Sequence, residues 1–358
     1  MAYQVVSAPG RVNLIGEHID YHMLPVLPMA LQRAVRVRFQ PRADRRITAE
    51  SGDYGPRAFD WTPNLAPVAA GDWENYLRAA AQAVAGKWGV LNGIDAHVTS
   101  DLPAAAGLSS SSALIVAFTL ALLRANGLEA TFDELMEILP DGEQFVGTRG
   151  GGMDHAASLA SKERCATLIH FEPLSVCHVP IPREWAFLVA HSMHTAEKSG
   201  AVRERYNAVR TAGNEALREL GFASYAEAIA KADLAGVQQK VFVHVVSEAR
   251  RVLECVQAMK ADQPERFGRL LLDSHASLRD RLEVSSPALD RLVESAMASG
   301  ALGARLTGAG FGGCAVVLCR RPDIGKVRDG LEKDFYQAQA GRTAPLFEAE
   351  AGAGAVHS

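Results

Sequence analysis

Three short segments of the chain gather residues able to do polar chemistry. The first is Gly107-Leu108-Ser109-Ser110-Ser111-Ser112, which leads directly into the apolar run from Ala113 to Leu123. A helix starting there presents backbone N–H groups with no intrahelical partner, and such a start attracts anions, phosphate above all. The hydroxyls add donors, and one of them can serve as a hard oxygen ligand for Mg2+. The plainer reading is a serine N-cap on a flexible turn. The second segment, Ala8 to Tyr21, crowds Arg11, Asn13, Glu17, His18 and Asp20 among apolar residues and two glycines. Polar groups in that setting must pair with each other or with a polar ligand. A sugar suits them, because carboxylates and imidazole accept from hydroxyls. The plainer alternatives are a satisfied core histidine at position 18 and a solvated turn for Glu17 and Asp20. The third segment is Gly150-Gly151-Gly152-Met153-Asp154-His155. Its glycines let the backbone approach a ligand closely. Asp154, opening the stretch that follows, is either an N-cap or a general base beside a substrate hydroxyl.

A fourth segment, Gly308-Ala309-Gly310-Phe311-Gly312-Gly313, satisfies G-x-G-x-x-G literally. The dinucleotide fingerprint needs a helix after the third glycine. Here Cys-Ala-Val-Val-Leu follows, which reads as a strand, so this is a tight turn between strands, placed to line a phosphate site. The sequence holds no G-x-x-x-x-G-K-[ST], no paired H-R-D and D-F-G, and no H-E-x-x-H. An ATP enzyme built on this chain is therefore neither a P-loop nor a protein-kinase type.

The elements that position these segments follow from periodicity. Val35, Val37 and Phe39 alternate with Arg36, Arg38 and Gln40, the mark of a half-buried strand. Residues 41–72 read as surface hairpins and loops. Tyr76, Leu77, Ala80, Ala81, Val84 and Trp88 are spaced for an amphipathic helix over 73–90. Ile94–Val98, Leu168–Phe171, Phe187–Val189, Arg305–Thr307 and Ala315–Leu318 read as strands. The run Ala113–Leu123 is apolar on every face, which predicts a helix inside the core. Helices are also predicted over Phe132–Leu139, through most of Val202–Met259, and from Pro264 to His275. The shift from strand-rich to helix-rich divides the chain into residues 1–190 and 191–358.

Composition sets limits on the kind of protein. The 358 residues carry 37 Lys and Arg against 41 Asp and Glu, a net charge of −4, with 48% hydrophobic and 22% charged residues. That is ordinary globular composition, long enough for about two domains. A slightly acidic chain has no global field for nucleic acid. The longest apolar run falls short of the roughly 20 residues a membrane helix needs. The N-terminus has no basic-then-apolar leader, and the five cysteines form no C-x-x-C pair. Those features point to reduced thiols in a cytoplasmic protein, with no structural zinc site. A monomer that binds neither nucleic acid nor membrane is the expectation.

Taken in order, the segments resemble the GHMP sugar kinases, and within them the galactokinase group. GRVNLIGEHIDY followed by VLPMAL is similar to that group's sugar-binding signature. LPAAAGLSSSSAL resembles the ATP-phosphate motif and LTGAGFGGCAVVL the C-terminal motif, with HVVSEARRV and DSHASLRDRLEVSSPALD also similar to galactokinase segments. The resemblance implies an α/β (α+β) two-domain kinase. Its N-terminal domain would be like ribosomal protein S5 domain 2, and its C-terminal domain a ferredoxin-like GHMP domain. It implies ATP-dependent phosphorylation of a sugar at its C1 hydroxyl, with Mg2+. By position, Asp154 matches the catalytic base and Arg11 the arginine that orients the reacting hydroxyl. Glu17, His18, Asp20, Gly151 and Tyr206 match sugar contacts, and Gly107 to Ser112 the phosphate loop. Ser111 and Glu143 match the Mg2+ ligands, while Trp73 and Tyr76 match a segment near the nucleotide.

Some positions depart from the pattern. Ala105 replaces a phosphate-loop glycine, His155 replaces a glutamine, and His22-Met23-Leu24-Pro25 replaces a small turn. The triple glycine resembles N-acetylgalactosamine kinase and plant-type galactokinases, where it would leave room for a 2-acetamido group. Galactose 1-kinase is the leading expectation. An N-acetylgalactosamine 1-kinase, a kinase for another sugar, and a silent galactose and ATP sensor are the alternatives.

Overall fold

The segment with Arg11 lies on a long antiparallel pair, β1 (Gln4–Ile15) and β2 (Leu27–Pro41), whose register runs from Gln4↔Phe39 to Ile15↔Leu27. A computed structural model describes residues 3–103, 106–145, 147, 151–194, 200–337 and 346–357, without the side chains of 141–145, 201–203 and 356–357. The β1–β2 register shifts between Pro9 and Arg11 and again between Asn13 and Ile15. These irregularities bracket Arg11 to Asn13, and such bulges re-aim side chains out of the regular alternation.

Three more strands extend this sheet: β3 (Arg46–Ser51), β4 (Gly55–Asp60) and β5 (Ile94–Ser100). β5 pairs antiparallel with β2 and parallel with β3, and β4 closes the hairpin expected between residues 41 and 72. Against the sheet lies α2 (Ser110–Ala125), buried at every residue from Ser112 to Leu123. Its β-branched and aromatic members, Ile115, Val116, Phe118 and Thr119, are not strong helix formers. Burial holds this helix instead, at about 1.5–3 kcal/mol for each large apolar side chain. α1 (Glu74–Trp88), α3 (Phe132–Phe145) and α4 (Met153–Ala160) pack around it. α3 runs through Pro140 to Phe145, past its expected end at Leu139, with Leu135, Met136 and Leu139 in the core.

A hairpin, β6 (Cys165–Phe171) with β7 (Leu174–Pro180), precedes a second sheet. That sheet has the order β11-β8-β10-β9 once its strands are labelled in chain order: β8 (Trp185–His191), β9 (Gly303–Leu306), β10 (Cys314–Arg320) and β11 (Leu346–Ala349). The chain thus enters its second sheet before residue 190, and a last short strand, β12 (Val356–His357), returns to pair with β1. The helical stretch after residue 200 consists of three helices, α5 (Gly200–Glu219), α6 (Tyr225–Lys231) and α7 (Lys240–Lys260). α8 (Pro264–Asp280) packs along α7, and α9 (Pro287–Ala298) and α10 (Ile324–Leu331) cover the second sheet. One apolar core runs from Val6 on β1 through Val252 on α7 to Val316 on β10. Among the described residues no helix is long and apolar enough to cross a membrane.

Candidate active site

Asp154 sits in the first turn of α4, but Gly152 occupies the N-cap position. Its carboxylate faces elsewhere. Oδ1 accepts from Arg11 Nε and lies 2.7 Å from Arg11 Nη2, while Oδ2 accepts from the Ser109 hydroxyl and, at 3.4 Å, from Ser112. Ser109 is at the N-cap of α2 in the left-handed conformation, φ 57° and ψ 37°, and its hydroxyl makes no capping bond. The simple capping readings of Ser109 and Asp154 are both replaced by this bond between the two segments. The Asp154 side chain is 20% exposed and that of Arg11 only 6%, so a ligand hydroxyl can reach the acid while the base of the arginine is enclosed.

Arg11 also ties β1 to the serine loop. Its Nη1 donates to Gly107 O at 2.6 Å, and its backbone N–H donates to Leu108 O at 3.1 Å. This start of α2 suits a phosphate chain. The helix is 16 residues long, its first turn lacks intrahelical N–H partners, and no cap hydroxyl from Ser109 competes for them. Ser110 and Ser111 are half-buried there. Glu143 lies on α3 with its side chain outside the described set, and Ala105 and Gly150 lie outside the described residues. Trp73 is buried at the N-cap of α1, which packs along α2, and its ring lies 6.5 Å from that of Tyr54.

The second segment forms a bent loop after β1. Glu17 is buried, and its Oε1 accepts from Gly308 N–H at 2.6 Å with Arg305 Nη2 3.6 Å away. His18 donates from Nε2 to Ala309 O at 3.1 Å; since a carbonyl only accepts, Nδ1 carries no proton and accepts from the Tyr21 hydroxyl at 2.8 Å. Both ring nitrogens of His18 are thus engaged within the protein. The Tyr206 ring on α5 is 5.2 Å from His18 and 5.5 Å from Tyr21. Asp20 Oδ2 accepts from Gly151 N–H at 3.0 Å. A Cβ at Gly151 would lie 2.2 Å from the Asp20 carbonyl carbon, so only glycine fits. The close approach that Gly151 permits is to the backbone of Asp20 and Tyr21, which fills the space beside it.

Three carboxylates, Glu17, Asp20 and Asp154, share this region with two arginines, and the imbalance sets the protonation pattern. Burial pushes the Asp20 carboxyl up to about 7, with the Asp154 charge adding to it and the Gly151 N–H opposing. Burial also raises Glu17, against Arg305 and Arg11. Burial works against the charge of Arg11, yet Asp154 and Glu17 outweigh it and the guanidinium is held more firmly protonated than usual. His18 is pushed down to about 4 by burial and stays neutral.

Sequence reasoning did not single out Arg305, Thr307, His244 or Glu248, all buried around the Asn13–Glu17 backbone. Thr307 Oγ1 accepts from Asn13 N–H, and Arg305 donates to Asn13 O and Leu14 O. The available signal was the place of His244 and Glu248 in the segment HVVSEARRV and of Thr307 in LTGAGFGG, with Arg305 immediately before the latter.

Comparison with known proteins gives a family. Residues 2–41 match the galactokinase galactose-binding signature, residues 75–162 the GHMP kinases N terminal domain, and residues 255–337 the GHMP kinases C terminal model. A galactokinase of Roseiflexus sp. (strain RS-1) is 36% identical over 364 residues, covering 98% of this chain and 92% of that one. A galactokinase of Streptomyces coelicolor is 34% identical, covering 98% and 93%. The crystal structure of Lactococcus lactis galactokinase complexed with galactose matches with a TM-score of 0.89 at 28% identity, over 99% of this chain and 95% of that one. Methanococcus jannaschii mevalonate kinase, at 18% identity and a TM-score of 0.70, shares the fold. With its sugar signature, both kinase domains and full-length relatives in agreement, the chain belongs to the galactokinase family of GHMP kinases.

Proposed function

We propose that this ATP-dependent sugar kinase transfers the γ-phosphoryl group of ATP to the C1 hydroxyl of galactose, giving galactose 1-phosphate and ADP. The observation that carries the reading is the Asp154 carboxylate, shared between Arg11 and Ser109 where α4, β1 and the start of α2 meet. A sugar hydroxyl is a weak nucleophile at neutral pH, and phosphoryl transfer is loose, so positioning and charge neutralisation dominate. In this reading the hydroxyl oxygen forms the new bond to phosphorus, its proton passes to Asp154, and the bond to the ADP oxygen breaks. Arg11 holds Asp154 ionised and orients the reacting hydroxyl. The N–H groups from Gly107 to Ser112 cradle the phosphates. Asp20, Glu17, His18, Gly151 and Tyr206 frame the sugar, and Trp73 lies toward the adenine.

Among the described residues no three His, Cys, Asp or Glu side chains cluster as a metal site. Mg2+ would be held by the Ser111 hydroxyl, Glu143 and phosphate oxygens, a hard-oxygen set that suits it. When bound, the ion neutralises charge on the β- and γ-phosphates. In the same reading residues 1–190 carry the sugar loop, phosphate loop and base, and residues 191–358 brace them.

The test is ADP release with Mg-ATP and galactose, N-acetylgalactosamine, glucose or no sugar. Turnover on galactose supports the reading. Preference for N-acetylgalactosamine replaces the substrate, and binding of galactose and ATP without turnover replaces the enzyme with a sensor.

A further inference from the structure

The loop that offers Glu17, His18 and Asp20 is held from behind by two side chains one turn apart on α7. Gly16 N–H donates to Glu248 Oε1 at 3.0 Å, and the Ser274 hydroxyl on α8 donates to the same oxygen at 2.7 Å. Glu248 Oε2 accepts from Arg251 Nε at 2.8 Å. His244 Nε2 lies 3.0 Å from Glu17 O, and Nδ1 lies 2.9 Å from the Ser277 hydroxyl. The carbonyl fixes the tautomer: Nε2–H donates to Glu17, and Nδ1 accepts from Ser277. Both His244 and Glu248 are fully buried. Neither touches the Arg11–Asp154 pair among the contacts described.

The loop needs such support. Gly16 and His18 both have left-handed backbones, with φ of 106° and 61°. A non-glycine residue in that region is strained and persists only where its surroundings over-determine it. The N–H of Gly16 and the C=O of Glu17 flank the bend, and each has one buried partner on α7. Losing either leaves a buried polar group unpaired and frees the bend to shift. Asp20, two residues beyond His18, would move with it. The phosphate loop is stitched to β1 further back, at Arg11.

We propose that His244 and Glu248 are positioning residues for the sugar, setting the geometry of the 16–20 loop through its backbone while leaving the nucleotide half of the site untouched. The inference rests on the proposed reading of that loop as the sugar-binding loop. A residue with a merely structural role would lower stability and shift both substrates together; a positioning residue splits them.

The experiment is steady-state kinetics on the full chain, with melting curves as a fold control. His244→Phe, which removes the donor, is expected to raise the galactose KM about 10- to 100-fold and keep the ATP KM within about twofold. His244→Gln, which can still donate to Glu17 O, is expected to recover most of that loss. Should His244→Phe fail to fold, Ser277→Ala loosens His244 more gently and should raise the galactose KM about two- to tenfold. Galactose and ATP KM rising in parallel, or neither moving in folded variants, overturns the proposal. Asp20→Asn separates the two readings. If it raises the galactose KM while the His244 and Ser277 variants do not, the positioning inference alone fails. If it too leaves the galactose KM unchanged, the loop is not the sugar loop and both fall.

Discussion

Arg11 and Asp154 stand 143 residues apart in the chain and 2.7 Å apart in space. Arg11 comes from a bulged edge of β1 and Asp154 from the first turn of α4, and the start of α2 closes the triangle through Ser109. Each of the three segments that carry polar chemistry in the sequence supplies a member of one hydrogen-bonded cluster. The buried arginine spends donors on Asp154 and Gly107, and the partly open carboxylate beside it is the group a substrate hydroxyl can meet.

Replacing Asp154 by Ala should cost about 10^2- to 10^4-fold in kcat, the usual contribution of a positioned base. ATP affinity, measured by calorimetry or nucleotide quenching, should change little. Residual turnover within about tenfold of wild type would remove Asp154 from the role of base.

The Asp20 carboxyl, held up near 7 by burial and by the Asp154 charge, should appear in the pH profile. Its ionised form is the one that accepts from a sugar hydroxyl, so kcat/KM for galactose should rise as pH increases through about 7. Asp20→Asn should flatten that limb. A limb that survives the substitution belongs to another group.

Gly10 lies where β1 presses on the phosphate loop, and a Cβ there would sit 2.5 Å from Leu102 Cδ2 and 2.6 Å from Leu108 O. Gly10→Ala should therefore destabilise the fold by about 1–3 kcal/mol through overpacking. It should also raise the ATP KM more than the galactose KM, because the displaced backbone is the phosphate loop. Unchanged melting would mean that the loop yields without cost.

Stability should fall on acidification well above the carboxylate range. His18 and His244 ionise at about 4 and about 3 in the folded chain because burial disfavours their charged forms, against 6.5 unfolded. Between those values the unfolded chain binds more protons, so each histidine removes up to about 1.4 kcal/mol per pH unit as pH drops. His22 and His275, both at about 4, act in the same direction. Asp20, raised instead of lowered, opposes them with one proton between 7 and 3.8, and Glu17 adds to that opposition. The histidines outnumber the two acids. Urea midpoints should decline steadily from pH 6.5 toward pH 4.5; a flat profile would show that the histidines ionise without unfolding.

Local patterns in the chain were enough to determine a good part of this protein. The run Ala113–Leu123, apolar but for Thr119, implied a core helix, and the alternation at Val35–Phe39 implied a half-buried strand. The small-residue loop before that helix offered two readings, a serine cap or an anion site, because unpartnered N–H groups at a helix start follow from helix geometry alone. Period and turn chemistry are properties of a few consecutive residues. Pairings between distant segments are not, and there the tertiary structure decided. Ser109 bonds Asp154 instead of capping its own helix, since α4 packs beside α2. Gly151 gives its close approach to Asp20, not to open space. His18 spends both nitrogens on Tyr21 and Ala309, which are 3 and 291 residues away. The breaks that split residues 202–259 into three helices, and the strand that carries the C-terminus back to β1, likewise depend on which surfaces the core leaves to be covered. A sequence lists which residues can accept, donate or ionise; only the packed chain sets which of those capacities are already spent.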